Sequence, residues 1–117
     1  MVDAREKFGA FIRREREGKE IGLREMAKMI GVSPTYLSKI ERDEFPPPVE
    51  DKVRAIAKII GCNTDDLLAR AGRVSTDISE IIKRHPVELA ALLRTTKGLT
   101  AEEIARLTRQ AQKAKED

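Results

Sequence analysis

Apolar residues recur at helical spacing along almost the whole chain, and no segment shows a sustained two-residue alternation rich in β-branched side chains. An all-α fold follows, and its punctuation is unusually complete. Asp3 with Glu6 makes a capping-box-like pattern that predicts a first helix over 4–17, with Phe8, Phe11 and Ile12 on one face and Gly18 interrupting it. A second helix is expected over 23–30, with Gly22 at its N-cap and Gly31 in the stop position. Ser33 followed by Pro34 starts a third, ending near Arg42, because the hydroxyl accepts from first-turn amides and proline at the first helical position loses no needed bond.

The run Phe45-Pro46-Pro47-Pro48 cannot be helical inside and predicts an extended connection. It reads as a rigid spacer, with a polyproline ligand for a partner as the alternative. A fourth helix is expected over 49–60, burying Val53, Ile56, Ala57 and Ile60 and stopping at Gly61. Asn63 caps a fifth, with Asp65 and Asp66 in the first turn where the helix dipole favours acids and Leu67 and Leu68 as anchors, closed by Gly72. Val74 to Asp77 reads as a hinge. Beyond it, Ser75 or Thr76 caps a short helix to about Arg84, and His85-Pro86 starts another with Leu89, Leu92 and Leu93 facing inward. Thr100 with Glu103 opens a last helix carrying Ile104, Leu107 and Ala111, whose polar tail 110–117 is expected to fray. The organisation is therefore a five-helix domain over 1–74 and a helical extension of two or three helices over 75–117.

Composition limits what such a chain can do. Its 117 residues carry a net charge of +3, which permits nucleic-acid binding without arguing for it. Residues 1–74 hold 15 basic and 13 acidic side chains and residues 75–117 hold 8 and 7, so neither part is a basic tail. One cysteine, Cys62, cannot form an intrachain disulfide, no secretory leader is recognised, and no apolar run approaches the roughly 20 residues of a membrane helix. A cytoplasmic setting is the expectation. Cys62 reads as a small buried apolar residue, with a redox role as the alternative. One His and one Cys cannot build a four-ligand zinc site, and Asp65, Asp66, Glu102 and Glu103 sit in first turns where capping accounts for them. No nucleophile–base set, phosphate loop or cofactor motif is present, so no enzyme is expected.

Function concentrates in LREMAKMIGVSPTYLSKIERDE, residues 23–44, which reads as helix, glycine-containing turn, helix. Ala27 sits where the two helices cross and lets them approach. Met26, Ile30, Leu37 and Ile40 make the shared apolar side, and the outward side of the second helix shows Thr35, Tyr36, Ser38, Lys39 and Arg42. Such a helix fits a major groove about 12 Å wide.

Residues 5–72, above all LREMAKMIGVSPTYLSKIER and IIGCNTDDLLARAG, resemble the phage-repressor-type (XRE) helix-turn-helix domain of five helices. The resemblance implies a transcriptional regulator binding operator DNA as a homodimer. It also implies an ion pair between Arg16 of the first helix and Glu41 at the end of the recognition helix. The chain departs from the family's habit at Gly22, where Ser or Thr is common, and at Glu20, where Gly is common.

Chemistry assigns the roles within that frame. Lys39, one turn beyond Thr35, can reach guanine O6/N7 or a phosphate, and Thr35 a thymine methyl or base edge. Tyr36 either meets the DNA or packs on Ile40. Arg24, Lys28, Ser38 and Arg42 flank the groove and suit phosphates. Arg13, Arg14 and Lys19 alternate with Glu15, Glu17 and Glu20 and read as a solvated face. The C-terminal leucines are too many for isolated short helices and are assigned to dimerisation, with completion of the monomer core as the alternative. A DNA-binding antitoxin whose C-terminal helices grip a toxin is the competing function.

Overall fold

A computed structural model describes residues 6–117, and among them every regular element is an α-helix. They are α1 (Phe8–Gly18), α2 (Leu23–Ile30), α3 (Pro34–Glu41), α4 (Glu50–Ile60), α5 (Thr64–Arg70), α6 (Thr76–Arg84), α7 (Pro86–Thr95) and α8 (Ala101–Glu116). The chain divides into two compact units, Met1–Thr76 and Asp77–Asp117.

The first unit holds the core. Phe8, Phe11 and Ile12 of α1, Met26, Ala27 and Ile30 of α2, and Leu37 and Ile40 of α3 bury against Val53, Ile56, Ala57 and Ile60 of α4 and Leu67 and Leu68 of α5. Helices α1 to α4 give a side spaced three or four residues apart, and α5 the adjacent Leu67 and Leu68, to one contiguous cluster, which is how short helices become stable.

Local caps set most boundaries. Ser33 Oγ accepts from the Tyr36 amide at 3.1 Å with Pro34 opening the helix, and Asn63 Oδ1 accepts from the Asp66 amide at 3.1 Å. Gly31 and Gly61 end α2 and α4 in the left-handed region, at φ 72° and 73°. Val32 and Cys62 then return their amides to the Ala27 and Ala57 carbonyls.

The first helix corrects its expected start. Asp3 lies outside the described residues, while Glu6 and Lys7 precede the helix, which begins at Phe8 with no side-chain cap from Lys7. Its open amide at Gly9 is met from another element, by Asp43 Oδ1 at 2.8 Å. The helix ends at Gly18, but the left-handed residue that closes it is Glu20, φ 57°, with the Ile21 amide returning to the Arg16 carbonyl.

The stretch read as a hinge is partly tied down. Arg73 donates to the carbonyls of Pro47, at 2.9 Å, and Pro48, and Ser75 is buried. The Thr76 amide donates to Glu50 Oε1 at 2.9 Å. In the second unit Thr100 and Glu103 form the full capping box. Here α8 stays helical to Glu116 instead of fraying from 110, because Ala, Gln and Lys are good helix formers and nothing breaks the run. None of α6, α7 and α8 has a buried residue. Leu92 and Leu93, expected to face inward, are exposed.

Candidate nucleic-acid interface

Two helices joined through Gly31, Val32 and Ser33 form the centre of the candidate interface. The turn is held from α4 as well. Lys52 Nζ donates to the Ile30 carbonyl at 2.7 Å, satisfying one of the last open acceptors of α2.

Three contacts pin α3 to its support. Leu37 and Ile40 are buried below it. At its end Glu41 takes a two-pronged ion pair from Arg16, Nε to Oε2 at 2.8 Å and Nη2 to Oε1 at 2.9 Å. Both residues are nearly shut off from water, at 8% and 5% exposure, and Arg16 Nη1 also reaches the Ile21 carbonyl at 2.8 Å. The hydrogen-bonded Glu41 carboxylate holds the Arg16 guanidinium above its ordinary range. Thirdly, Asp43, left-handed at φ 57°, places its carboxylate on Gly9.

The outward residues divide into those held by neighbours and those not. Thr35 is exposed in the first turn. Lys39, one turn on, is half-buried with Nζ 5.0 Å above the centre of the Phe45 ring. Tyr36 is half-buried too. Its ring sits 5.9 Å from that of Phe45 at a tilt of 52°, and packs at the edge of the core beside a groove of about 400 Å³ lined by Val32, Ser33, Pro48, Val49 and Lys52.

Arg24 and Lys28 lie exposed on α2, with no ion pair or hydrogen bond from their side chains among the described residues. Arg42 is exposed and paired with Glu44 at 3.4 Å. Ser38 borders a cleft of about 300 Å³ with Arg13, Arg16, Leu23, Glu41 and Arg42. Arg13 and Arg14 are taken by acids, Arg13 by Glu17 at 2.7 Å and Arg14 by Glu6 at 2.8 Å.

Phe45, Asp43, Lys52 and Arg73 are the working residues that sequence reasoning did not single out. A glycine inside the first turn of an amphipathic helix, Gly9, was the one available sign of a close approach. Cys62 is half-buried against the core, and burial pushes its thiol above the ordinary range, which makes it a poor nucleophile. No group of three or more metal-ligating side chains gathers among the described residues, and none of the described helices is long and apolar enough to cross a membrane.

Two close-packed helices with a glycine turn, the second presenting a polar side to solvent, define a helix-turn-helix protein of the phage-repressor type. Residues 9–73 match the family described as "Helix-turn-helix domain", and the chain belongs to that family. Over 109 residues it is 28% identical to a protein of Mycobacterium tuberculosis described as an uncharacterized HTH-type transcriptional regulator, covering 93% of this chain and 77% of that one. Among solved structures it is similar to the DNA-binding domain of the P22 c2 repressor, at 31% identity over 57% of this chain and 86% of that one, TM-score 0.50. It is also similar to the clp gene regulator ClgR from Corynebacterium glutamicum, at 28% identity over 81% of this chain and 95% of that one, TM-score 0.50.

Proposed function

We propose that this chain is a sequence-specific DNA-binding transcriptional regulator that works in the cytoplasm as a repressor, by occupying a pseudo-palindromic operator as a homodimer. The observation that carries the reading is the placement of α3. Its apolar side is buried and its end is clamped by Arg16–Glu41, so its opposite side stands as a fixed polar surface. In this reading α3 enters the major groove. Thr35, Tyr36 and Lys39 face base edges, Lys39 with an ammonium that suits guanine O6/N7. Arg24, Lys28, Ser38 and Arg42 hold the phosphates on either side, and occupancy, not catalysis, is the output.

Residues 1–74 are the DNA-binding domain in this account and residues 75–117 the dimerisation extension. Support comes from α6, α7 and α8, which expose Ile78, Ile81, Val87, Leu92, Leu93, Ile104 and Leu107 and bury no residue. Apolar surface of that kind marks an association face. A two-fold dimer sets two recognition helices on half-sites one DNA turn apart, about 34 Å.

Selection of bound sequences from random duplex DNA, with the mass in solution measured alongside, tests this. An inverted repeat and a dimer mass are expected. Recovery of no preferred sequence contradicts the regulator reading, and a monomer at working concentrations contradicts the symmetry.

A further inference from the structure

We infer that Phe45 is a positioning residue for DNA readout, a ring that fixes where Lys39 and Tyr36 stand before DNA arrives; the inference rests on the function proposed above. Lys39 and Tyr36 are three apart on α3 and therefore neighbours on its surface. The Phe45 ring serves both, with Lys39 Nζ 5.0 Å above its centre and the Tyr36 ring 5.9 Å away.

The ring stands on a loop built to stay still. The Glu44 and Phe45 amides both donate to the Lys39 carbonyl, at 2.9 and 3.3 Å, so the loop starts from the same residue whose side chain it backs. Asp43 is fastened to Gly9, and Pro46, Pro47 and Pro48 allow little backbone freedom. Arg73 donates to the Pro47 and Pro48 carbonyls further along the same loop.

Phe45 does not belong to the core cluster and remains 40% exposed. A connection needed only for spacing has no use for a large apolar ring held half in water. A free lysine side chain loses substantial rotamer freedom when it binds, and a ring beneath the ammonium removes part of that loss in advance. The π face attracts the cation without consuming it as a localised acceptor would, and the N–H groups turned away from the ring stay available to a base edge.

This placement changes discrimination between sequences without changing charge. An exposed cation–π contact of ordinary strength corresponds to about two- to fivefold in affinity. The slope of binding against salt depends on the phosphates neutralised and stays where it was.

The test uses the full chain, with Phe45→Leu to keep bulk and Phe45→Tyr to keep the ring. In the free protein the Lys39 ε-methylene protons, assigned by loss of their signal in Lys39→Met, are expected upfield of the other lysines. They stay there in F45Y and return to the ordinary position in F45L. On the selected duplex, F45L loses about two- to fivefold of its preference over a scrambled duplex at unchanged salt slope, F45Y keeps it, and F45L costs less in a K39M background, where only Tyr36 is left for the ring to place. An ordinary Lys39 shift in the wild type, an F45L variant with full preference, or the same loss in the K39M background overturns the inference while the regulator reading stands. A wild type that prefers no duplex overturns that reading, and this role with it.

Discussion

Gly9 and Asp43, one in the first turn of α1 and the other just past the end of α3, lock those two helices together. The Gly9 amide donates to Asp43 Oδ1 at 2.8 Å, and a side chain at Gly9 would run into the Ile40 carbonyl and come within 2.8 Å of the Glu41 carbonyl oxygen. Both carbonyls are backbone and cannot rotate away, and the Asp43 carboxylate oxygen that bonds the Gly9 amide would lie 2.7 Å from the new methyl. Gly9→Ala is therefore expected to destabilise the chain by about 2–3 kcal/mol, although alanine is the better helix former. A denaturant midpoint shows it, and an unchanged or raised midpoint contradicts the close approach.

Two left-handed positions give opposite signs. Glu20 holds φ 57° with a side chain, whereas Gly31 holds φ 72° without one. Glu20→Gly removes strain and is expected to stabilise by about 0.5–1 kcal/mol. Gly31→Ala introduces strain of about 1–2 kcal/mol. Added crowding comes from Lys52 Nζ, 3.3 Å from the new methyl. Thermal melts of the two variants should move in opposite directions.

Arg16 and Glu41 are buried partners, so removing one strands the other. Glu41→Ala is expected to cost about 3–4 kcal/mol. Arg16→Met combined with Glu41→Leu should cost clearly less than the two single changes added together, because no unpaired charge remains. Additive losses in a double-mutant cycle contradict this account of the pair.

The capping box of α8 carries a pH signature. The Thr100 amide donates to Glu103 Oε1 at 3.0 Å, and the bond holds the Glu103 carboxyl below its ordinary value of 4.5. A carboxyl lowered in the folded state contributes stability above its unfolded pKa, and that contribution is lost as pH falls through the folded value. The Thr100 amide signal should titrate with a midpoint below 4.5 in the wild type and stay flat in Glu103→Gln. A higher midpoint, or no titration, contradicts it.

Legibility in the sequence follows how far away the cause of each feature lies. Ser33, Asn63 and Thr100 accept from amides three residues on, and Gly31 and Gly61 act on their own backbone, so five boundaries were readable locally. The start of α1 was not, because its partner reaches back from Asp43, 34 residues on. The all-α class and the helix-turn-helix came from apolar periodicity, which tertiary contacts reinforce. In the candidate site, periodicity put Thr35 and Lys39 one turn apart. It left the direction of the Tyr36 ring open, because that depends on Phe45 folding back over α3. Phe45 itself was hidden at the head of a proline run that sequence reads as a spacer or as a polyproline ligand, neither of which gives the ring a place over α3. The leucines of α7 carry no signal for what covers them.

The account turns on one surface, the outward side of α3. Its most direct test is equilibrium binding of the wild type and of Thr35→Ala/Lys39→Ala to the selected duplex and to a scrambled one, at two salt concentrations. The wild type should prefer the selected duplex, weaken steeply as salt rises, and lose about 1–3 kcal/mol of that preference for each base-reading side chain removed. Equal preference by wild type and double variant would contradict the placement of α3 in the groove.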